Sequence, residues 1–192
     1  MREMACGSQY SGARVLVTGA SGFIASRLAE ALGRGGADVH GNARRTPPSP
    51  LPGVNMFHAA DLANPDQCGN LIRTVRPDIV FHLASHVSGR QDLETVAATL
   101  NGNLVAAVNL LSSLSEAGTA RAIVTAGSCE EPRDFRQADP ETAPASPYAA
   151  AKLAASAYGG FFRKTMGLPV AHARIFMGYG PGQLDLVKLV PT

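Results

Sequence analysis

The residue pair best suited to chemistry is Tyr148 and Lys152, four positions apart in the run Ser-Pro-Tyr-Ala-Ala-Ala-Lys. An α-helix has about 3.6 residues per turn, so positions i and i+4 share a face and can address one ligand. Ser146 suits an N-cap and Pro147 the first helical position, which predicts a helix starting just before Tyr148. A nearby ammonium favours ionisation of a phenol, whose usual pKa is about 10. Tyr148 is therefore a candidate proton-transfer group, although Tyr-x-x-x-Lys also arises by chance in many helices.

A glycine-containing turn follows the first strand-like run, in the segment Thr-Gly-Ala-Ser-Gly-Phe-Ile that starts at Thr18. Gly19 allows a tight turn, Gly22 lets the backbone approach a pyrophosphate, and the small Ala25 permits close packing of helix on strand. The amino end of the following helix offers N–H donors to phosphates. The turn therefore predicts a dinucleotide site, with a plain strand-to-helix turn as the alternative. The predicted contacts from this turn are Gly19, Ser21, Gly22, Phe23 and Ile24.

The end of the second strand-like run predicts which dinucleotide is bound. Many dinucleotide folds carry a carboxylate there, about 20 residues after the glycines, to bind a ribose 2′-hydroxyl. Here the run Val39-His-Gly-Asn-Ala is followed by Arg44 and Arg45, and it holds no carboxylate. Guanidinium groups bind phosphate in a bidentate manner. The two arginines therefore favour NADP, with NAD as the alternative cofactor and a solvated basic turn as the simplest other explanation.

Short β-branched runs alternate with Ala- and Leu-rich stretches, which predicts βαβ units and a parallel sheet covered by helices on both faces. The predicted strands are 14–18, 38–42, 54–58, 79–83, 122–126 and 170–175, and the predicted helices are 22–33, 65–75, 93–117 and 147–166. Six strands suffice for a Rossmann-like, doubly wound α/β sheet in the order 3-2-1-4-5-6. Glycines 33, 118 and 167 are placed as helix C-caps. We predict a disordered leader over residues 1–12 and one NAD(P)-binding Rossmann domain over 13–192.

Composition and charge exclude several classes of protein. A length of 192 residues, with 45% hydrophobic and 17% charged, predicts a soluble globular domain with a substantial core. A net charge of +2 without a dense Lys/Arg block gives no case for nucleic acid binding. The three cysteines, Cys6, Cys68 and Cys129, lack metal-ligand spacing, and no uninterrupted apolar run reaches the roughly 18 residues of a membrane span. We therefore predict a cytoplasmic protein with no metal site and no membrane contact.

Taken together, these residues resemble the extended short-chain dehydrogenase/reductase family, in its NAD(P)-dependent epimerase/dehydratase group. The resemblance runs from about Arg14 to Gly182. The stretch 39–45 is also similar to that of GDP-mannose 4,6-dehydratases, which use NADP. The matched features, in chain order, are the glycine turn, Asp61-Leu62 after the third strand, the strand end His82-Leu-Ala, a helix asparagine at 103, Ser128 after the fifth strand, the Tyr148/Lys152 pair and the segment Arg174-Ile-Phe-Met-Gly-Tyr-Gly-Pro-Gly.

The resemblance implies a role for each matched residue. Tyr148 would exchange a proton with a sugar hydroxyl or carbonyl while hydride passes to or from the nicotinamide. Lys152 would hold the nicotinamide ribose and lower the pKa of Tyr148, and Ser128 would hydrogen-bond the reacting oxygen. Glu130 would match a glutamate that abstracts a sugar carbon proton in dehydratases; a surface glutamate is the alternative, and the adjacent Glu131 leaves the register open. The other implied cofactor contacts are Asp61, Leu62, Leu83, Ala84, Ser85 and Asn103.

The chain departs from the family pattern in two places. Met177 stands where many relatives have an asparagine that contacts the substrate diphosphate. Relatives also continue far beyond the Tyr-Gly-Pro-Gly segment, so most of a C-terminal substrate lobe is expected to be absent from a chain that stops at Thr192. The resemblance implies an oxidoreductase, epimerase or dehydratase for a nucleotide-activated sugar, and it allows a homodimer through the Tyr148 helix. A non-catalytic dinucleotide-binding module, or a truncated fragment without turnover, is the alternative.

Overall fold

The computed structural model describes residues 8–88, 90, 92–132, 140–180 and 183, and helices connect all pairs of successive strands there except β2 and β3. A π-helical turn, Leu100–Val105, joins the third helix to the fourth, and short 3-10 turns cover Ser8–Tyr10 and Pro140–Thr142. The strands are β1 Arg14–Thr18, β2 Asp38–Ala43, β3 Met56–Ala59, β4 Ile79–His82, β5 Ala122–Ser128 and β6 Val170–Ile175. The helices are α1 Phe23–Arg34, α2 Pro65–Val75, α3 Leu93–Thr99, α4 Ala106–Ala117 and α5 Pro147–Thr165.

The six strands form one parallel sheet in the order β3-β2-β1-β4-β5-β6, which confirms the predicted doubly wound α/β topology. At the carboxyl end of β1, Thr18 lies level with Asn42 of β2 on one side and with His82 of β4 on the other. The chain leaves β1 toward β2 and later returns to β4, so the order reverses between these strands. Ligands of open α/β sheets bind in the crevice at such a reversal.

The two faces of the sheet each bury a separate hydrophobic cluster, because successive side chains of a strand point to opposite faces. On one face, Val15 and Val17 of β1 pack with Leu32 of α1. On the other face, Leu16 of β1 packs with Ile72 of α2 and with the α4 leucines. The helices therefore cover both sides of the sheet and leave its carboxyl edge to build a site.

Several boundaries differ from the sequence predictions. Helix α1 continues to Arg34, so Gly33 lies inside the helix instead of capping it. A Cβ at Gly33 would come within 2.6 Å of the carbonyl oxygen of Gly53, so this glycine permits close approach of the proline-rich loop. Gly118 caps α4 with φ 61°, as predicted. Strand β3 starts two residues later than expected, and folded structure already begins at Ser8, before the predicted start of the domain. Residues 1–7 of the predicted leader lie outside the described residues.

The predicted helix 93–117 is present but contains the π-helical turn at its centre. By length and composition, Leu93–Ala117 is apolar enough to cross a membrane, with a mean hydropathy of 1.2 in its best window. A helix in the core of a domain passes the same test, and Leu110, Leu111 and Leu114 of α4 are buried against the sheet. This stretch was not predicted as a possible membrane span, because polar residues such as Asn101 and Asn109 interrupt its apolar runs.

Candidate functional site

A cavity of about 1040 Å³ opens at the carboxyl edge of the sheet, at the reversal between β1 and β4. Most of the residues predicted for the site line it. Arg45 and Asn103 are the two exceptions among them, since neither lines the cavity. The predicted residues that do so are Gly19, Ser21, Gly22, Phe23, Ile24, Arg44, Asp61, Leu62, Leu83, Ala84, Ser85, Ser128, Glu130, Tyr148 and Lys152.

The turn after β1 has the geometry that its glycines predict. Gly19 has φ 68°, a left-handed conformation that favours glycine, and a Cβ there would lie 2.8 Å from the backbone of Ala84. The N–H of Gly22 donates to the carbonyl of Gly19 at 2.8 Å and closes the turn. Gly22 is the N-cap of α1 and offers no side-chain hydrogen bond to the helix end. The amino end of α1 is therefore open for an anion at the cavity.

Polar groups at the ends of β2 and β3 define the opposite part of the cavity. Asp61 accepts a hydrogen bond from the N–H of Ala63 at 3.0 Å. The amide of Asn42 donates to two backbone carbonyls, those of His58 and Ala60, both at 3.1 Å. Arg44 is exposed and follows β2 directly. The cavity thus has one carboxylate after β3 and one guanidinium after β2.

Helix α5 positions the tyrosine and lysine as the sequence predicts. The hydroxyl of Ser146 accepts the N–H of Ala149 at 3.0 Å, and Pro147 occupies the first turn. Tyr148 is 8% exposed and Lys152 is 6% exposed. The Nζ of Lys152 donates to the carbonyl of Ala126 at 2.8 Å and lies 5.7 Å from the centre of the Tyr148 ring. The two groups therefore face one cavity from one side of the helix.

Burial controls the ionisation of both groups. It lowers the pKa of Lys152 to about 8, against the opposing charge of Glu131. It also raises the pKa of Tyr148; the nearby hydroxyls of Ser128 and Ser85 oppose this, while Glu130 and Glu131 add to it. The pKa of Tyr148 is therefore raised, contrary to the expected lowering by Lys152, because desolvation of the phenol outweighs the hydrogen bonds that oppose it. The phenol is protonated at neutral pH.

The loop after β4 is fixed from two sides. Asn103, in the π-helical turn, accepts hydrogen bonds from the Ser85 hydroxyl at 3.0 Å and from the His86 N–H at 2.7 Å, and it donates to the His86 carbonyl at 3.0 Å. Thr18 accepts the N–H of Ala84 at 3.1 Å. Asn103 thus orders the loop without touching the cavity. Burial and the charge of Lys152 lower the pKa of His82 to about 3, so its ring is a neutral partner of Thr18.

The two neighbouring glutamates after β5 have opposite environments. Glu130 is exposed and lines the cavity; its carboxylate accepts the Ser146 hydroxyl at 3.4 Å. Glu131 points the other way and its side chain is fully buried, against His172 and Arg174 of β6. Glu130 is therefore the glutamate beside Ser128 in the cavity. The role of Glu131 was not predicted, although His172 and Arg174, at alternate positions of β6, share one face of the strand and signal a polar partner there.

Several residues that line the cavity were not among the predicted site residues. Cys129 is exposed and next to Ser128, and Met177 and Tyr179 extend the wall beyond β6. Gln183 is 8% exposed, and neither its Nε2 nor its Oε1 has a hydrogen-bond partner within the described part of the chain. A buried amide without partners is available to a ligand. Among the described residues, no group of three or more His, Cys, Asp or Glu side chains could hold a metal ion.

One family model and several known proteins match this chain. The family model of the NAD dependent epimerase/dehydratase family matches residues 15–191. The chain is 30% identical over 181 residues to the UDP-glucose 4-epimerase of Mycolicibacterium smegmatis, covering 88% of this chain and 58% of that protein. It is 33% identical over 178 residues to the GDP-6-deoxy-D-mannose reductase of Pseudomonas aeruginosa, covering 90% of this chain and 54% of that protein.

A solved structure agrees with these sequence relatives. The UDP-glucose 4-epimerase of Thermus thermophilus in complex with NAD superimposes with a TM-score of 0.70 at 29% identity. The alignment covers 84% of this chain and 54% of that one. The chain therefore spans about half the length of the relatives it matches.

Proposed function

Because the chain belongs to the NAD dependent epimerase/dehydratase family, we propose that it forms the dinucleotide-binding and proton-transfer part of an enzyme acting on a nucleotide-activated sugar. The reaction is an epimerisation, a reduction or a dehydration of that sugar. The observation that carries the proposal is the convergence of Ser128, Tyr148 and Lys152 on the cavity that also holds the Gly19–Gly22 turn. These groups come from β5, α5 and the end of β1, so only the fold brings them together.

The lining residues fit a nicotinamide dinucleotide. The backbone at Gly19 and the open amino end of α1 would hold the pyrophosphate, and Asp61 would face the adenosine. Lys152 would hold the nicotinamide ribose, and the side-chain amide of Gln183, which has no hydrogen-bond partner among the described residues, offers one donor group and one acceptor. When bound, the dinucleotide would supply a hydride donor or acceptor, while the protein supplies position and electrostatics.

The residues of the chain then account for proton movement. Tyr148 is protonated at neutral pH, since burial raises its pKa, so it is ready to donate its proton to a sugar oxygen that gains negative charge. Ser128 is next to it and would hydrogen-bond the same oxygen. In the opposite direction, the phenolate must form again, and the ammonium of Lys152 stabilises that negative charge. Glu130, exposed at the same cavity, is the group available for a proton on carbon, as an elimination requires.

The test of the catalytic proposal is turnover that depends on Tyr148. We would supply the longest protein that contains this sequence with NAD or NADP and a panel of nucleotide sugars. Tyr148→Phe should abolish product formation and leave dinucleotide affinity within about threefold of wild type, because it removes only the proton carrier. If the wild-type protein binds the dinucleotide but no sugar is converted in a Tyr148-dependent way, the alternative function, a non-catalytic dinucleotide-binding module, is correct.

For the cofactor, we propose a preference for NADP. Arg44 lines the cavity directly after β2, where it can meet a ribose 2′-phosphate, and Asn42 and Ala43 supply no carboxylate at the end of that strand to repel one. Arg44→Ala should weaken NADP binding by about tenfold or more and leave NAD binding unchanged, since a charge-assisted hydrogen bond contributes about 1.5–3 kcal/mol. Arg45→Ala is the matched control, because Arg45 does not line the cavity. Equal affinities for both dinucleotides, unchanged by Arg44→Ala, would contradict recognition of the 2′-phosphate by Arg44.

A homodimer is the proposed assembly. Ala149 and Ala151, on the Ala-rich face of α5, are buried within the monomer and are therefore not available to a partner. Tyr158 and Phe161 on the same helix remain 46% and 43% exposed. Sedimentation analysis of wild type against Phe161→Asp should show a dimer that the charge disrupts; a monomer at all concentrations would contradict this assembly.

A further inference from the structure

A fully buried carboxylate lies directly behind the proposed site. One oxygen of Glu131 accepts the backbone N–H of Ser128 at 2.6 Å. The imidazole Nε2 of His172 lies 3.1 Å from the other oxygen, and Arg174 Nε lies at 3.7 Å. The Nδ1 of His172 in turn meets the Thr125 hydroxyl at 2.9 Å, so the cluster extends along β5 and β6.

The surrounding structure is built to hold this carboxylate as an anion. Burial alone would raise the pKa of Glu131, but hydrogen bonds from His172 and from the Ser128 N–H, with the charges of His172 and Arg174, bring it below its usual value. A Cβ at position 127 would overlap both His172 Nε2 and the Glu131 carboxylate, so only glycine leaves room for this pair. An unpaired buried charge would be costly, and here each oxygen has a partner.

The groups that face Glu131 come from three elements. His172 and Arg174 approach from β6, the Ser128 backbone from β5, and Lys152 and Tyr148 of α5 feel its charge. Glu130 is adjacent in sequence, but it is exposed at the cavity. The carboxylate of Glu131 is fully buried, so it is shielded from a ligand there.

We propose that Glu131 is a positioning residue of the site, which fixes the backbone of Ser128 and supplies the negative charge that balances the buried ammonium of Lys152. The inference rests on the proposed function, since it takes Ser128 and Lys152 as working groups. The first effect follows from the short hydrogen bond, which holds the Ser128 hydroxyl at the cavity wall. The second follows because the buried ammonium of Lys152 donates to the Ala126 carbonyl, two residues along β5 from the Ser128 N–H that Glu131 accepts, so both charges are held on the same stretch of this strand. The negative charge of Glu131 accordingly favours the charged form of Lys152.

Two substitutions separate these effects. Glu131→Gln removes the charge but keeps an oxygen that can accept the Ser128 N–H. Glu131→Asp keeps the charge but shortens the side chain, so the carboxylate withdraws from that N–H. Glu130→Gln is the matched control, because it removes the same charge from the adjacent, exposed position.

The measurement is an NMR titration of lysine side chains in the full chain, which has three lysines, Lys152, Lys164 and Lys188. The Lys152 signal, assigned with Lys152→Met, should titrate near pH 8 in wild type. Glu131→Gln should lower that midpoint by about half a pH unit or more, and Glu130→Gln by clearly less, because exposed charges are screened. The Ser128 amide proton should lie far downfield in wild type and move upfield in Glu131→Asp, whose Lys152 midpoint stays close to wild type.

Both NMR measurements test the role of Glu131 without any assay of turnover. Failure of this proposal is therefore distinct from failure of the proposed function. An unchanged Lys152 midpoint in a folded Glu131→Gln protein, or an equal change in Glu130→Gln, overturns the balancing charge. If Glu131→Gln does not fold, Glu131→Asp decides: an unmoved Ser128 amide overturns the positioning role. A purely structural link between β5 and β6 would change the melting temperature but leave the Lys152 midpoint where it is.

Discussion

Replacing Lys152 by methionine should stabilise the fold at neutral pH. The ammonium is 6% exposed, and burial lowers its pKa from 10.5 to about 8. A shift of one pKa unit corresponds to about 1.36 kcal/mol. The lowered pKa of Lys152 therefore means that its buried charge destabilises the folded state by roughly 3 kcal/mol. Methionine has a similar length and carries no charge. It loses the hydrogen bond to the Ala126 carbonyl, which contributes about 1 kcal/mol, so we expect a net gain of roughly 2 kcal/mol at pH 7.

The gain should disappear as the pH rises, and this dependence identifies its cause. Folded Lys152 binds its proton less tightly than a lysine of the unfolded chain, so the unfolded state holds more protons between pH 8 and 10.5. The full cost of the charge is present below about pH 8 and vanishes above about pH 10.5, where lysine is neutral in both states. The stability of the wild-type protein should therefore rise toward that of Lys152→Met across this window.

Urea denaturation of both proteins at a series of pH values measures the difference directly, since the free energy of unfolding is linear in urea concentration. Other groups that titrate in this range are common to both proteins and cancel in the comparison. The exposed Lys164, near the end of α5, gives the control variant Lys164→Met, which should change stability by about 0.5 kcal/mol or less. The reasoning is refuted if Lys152→Met is no more stable than wild type at pH 7, or if the difference stays constant up to pH 10.

Two further predictions concern glycines and thiols. Gly127→Ala should destabilise the protein by about 1–3 kcal/mol, because the added Cβ has no space. Gly160→Ala, in open space on α5, should stabilise it by about 0.5–1 kcal/mol. Thermal denaturation measures both changes, and equal effects on stability would contradict the packing argument. At pH 8, iodoacetamide should modify the exposed Cys129 and spare Cys68, since burial raises the pKa of Cys68 to about 11. Bound dinucleotide should slow the reaction of Cys129, followed by peptide mass spectrometry, because this residue lines the cavity; unchanged labelling would place the ligand elsewhere.

The architecture was predictable because each strand and helix carries its own local signal. The predicted bounds of strands β1 and β6 agree with the structure to the residue, and the Ser146–Pro147 cap predicted the start of α5. The strand order followed from alternation and handedness rules that hold for parallel sheets in general. Local chemistry therefore determines both the elements and their order.

The ionisation of the site was not predictable, because it depends on burial and on groups distant in sequence. The Tyr148/Lys152 spacing indicates that the two side chains share a helix face, but it does not reveal that both are buried. Glu131 lies 41 residues before its partner His172, and no local pattern pairs them. Likewise, nothing near Gly33 indicates that the loop at Gly53 packs on it. Contacts between distant segments, rather than helix or strand propensities, account for these differences.

The π-helical turn Leu100–Val105 sets the rotational phase between α3 and α4. An α-helix rotates by about 100° per residue, so the wider turn takes up about one extra residue without rotating the helix that follows. Deleting one residue there would restore regular α-helix and keep the alignment of α3 with α4, whereas deleting one residue within the regular part of α4 would turn α3 by about 100° relative to the leucines anchored in the core. Insertions and deletions in this stretch are therefore constrained by the angular alignment of two helix faces, a limit that a count of substitutions alone would not reveal.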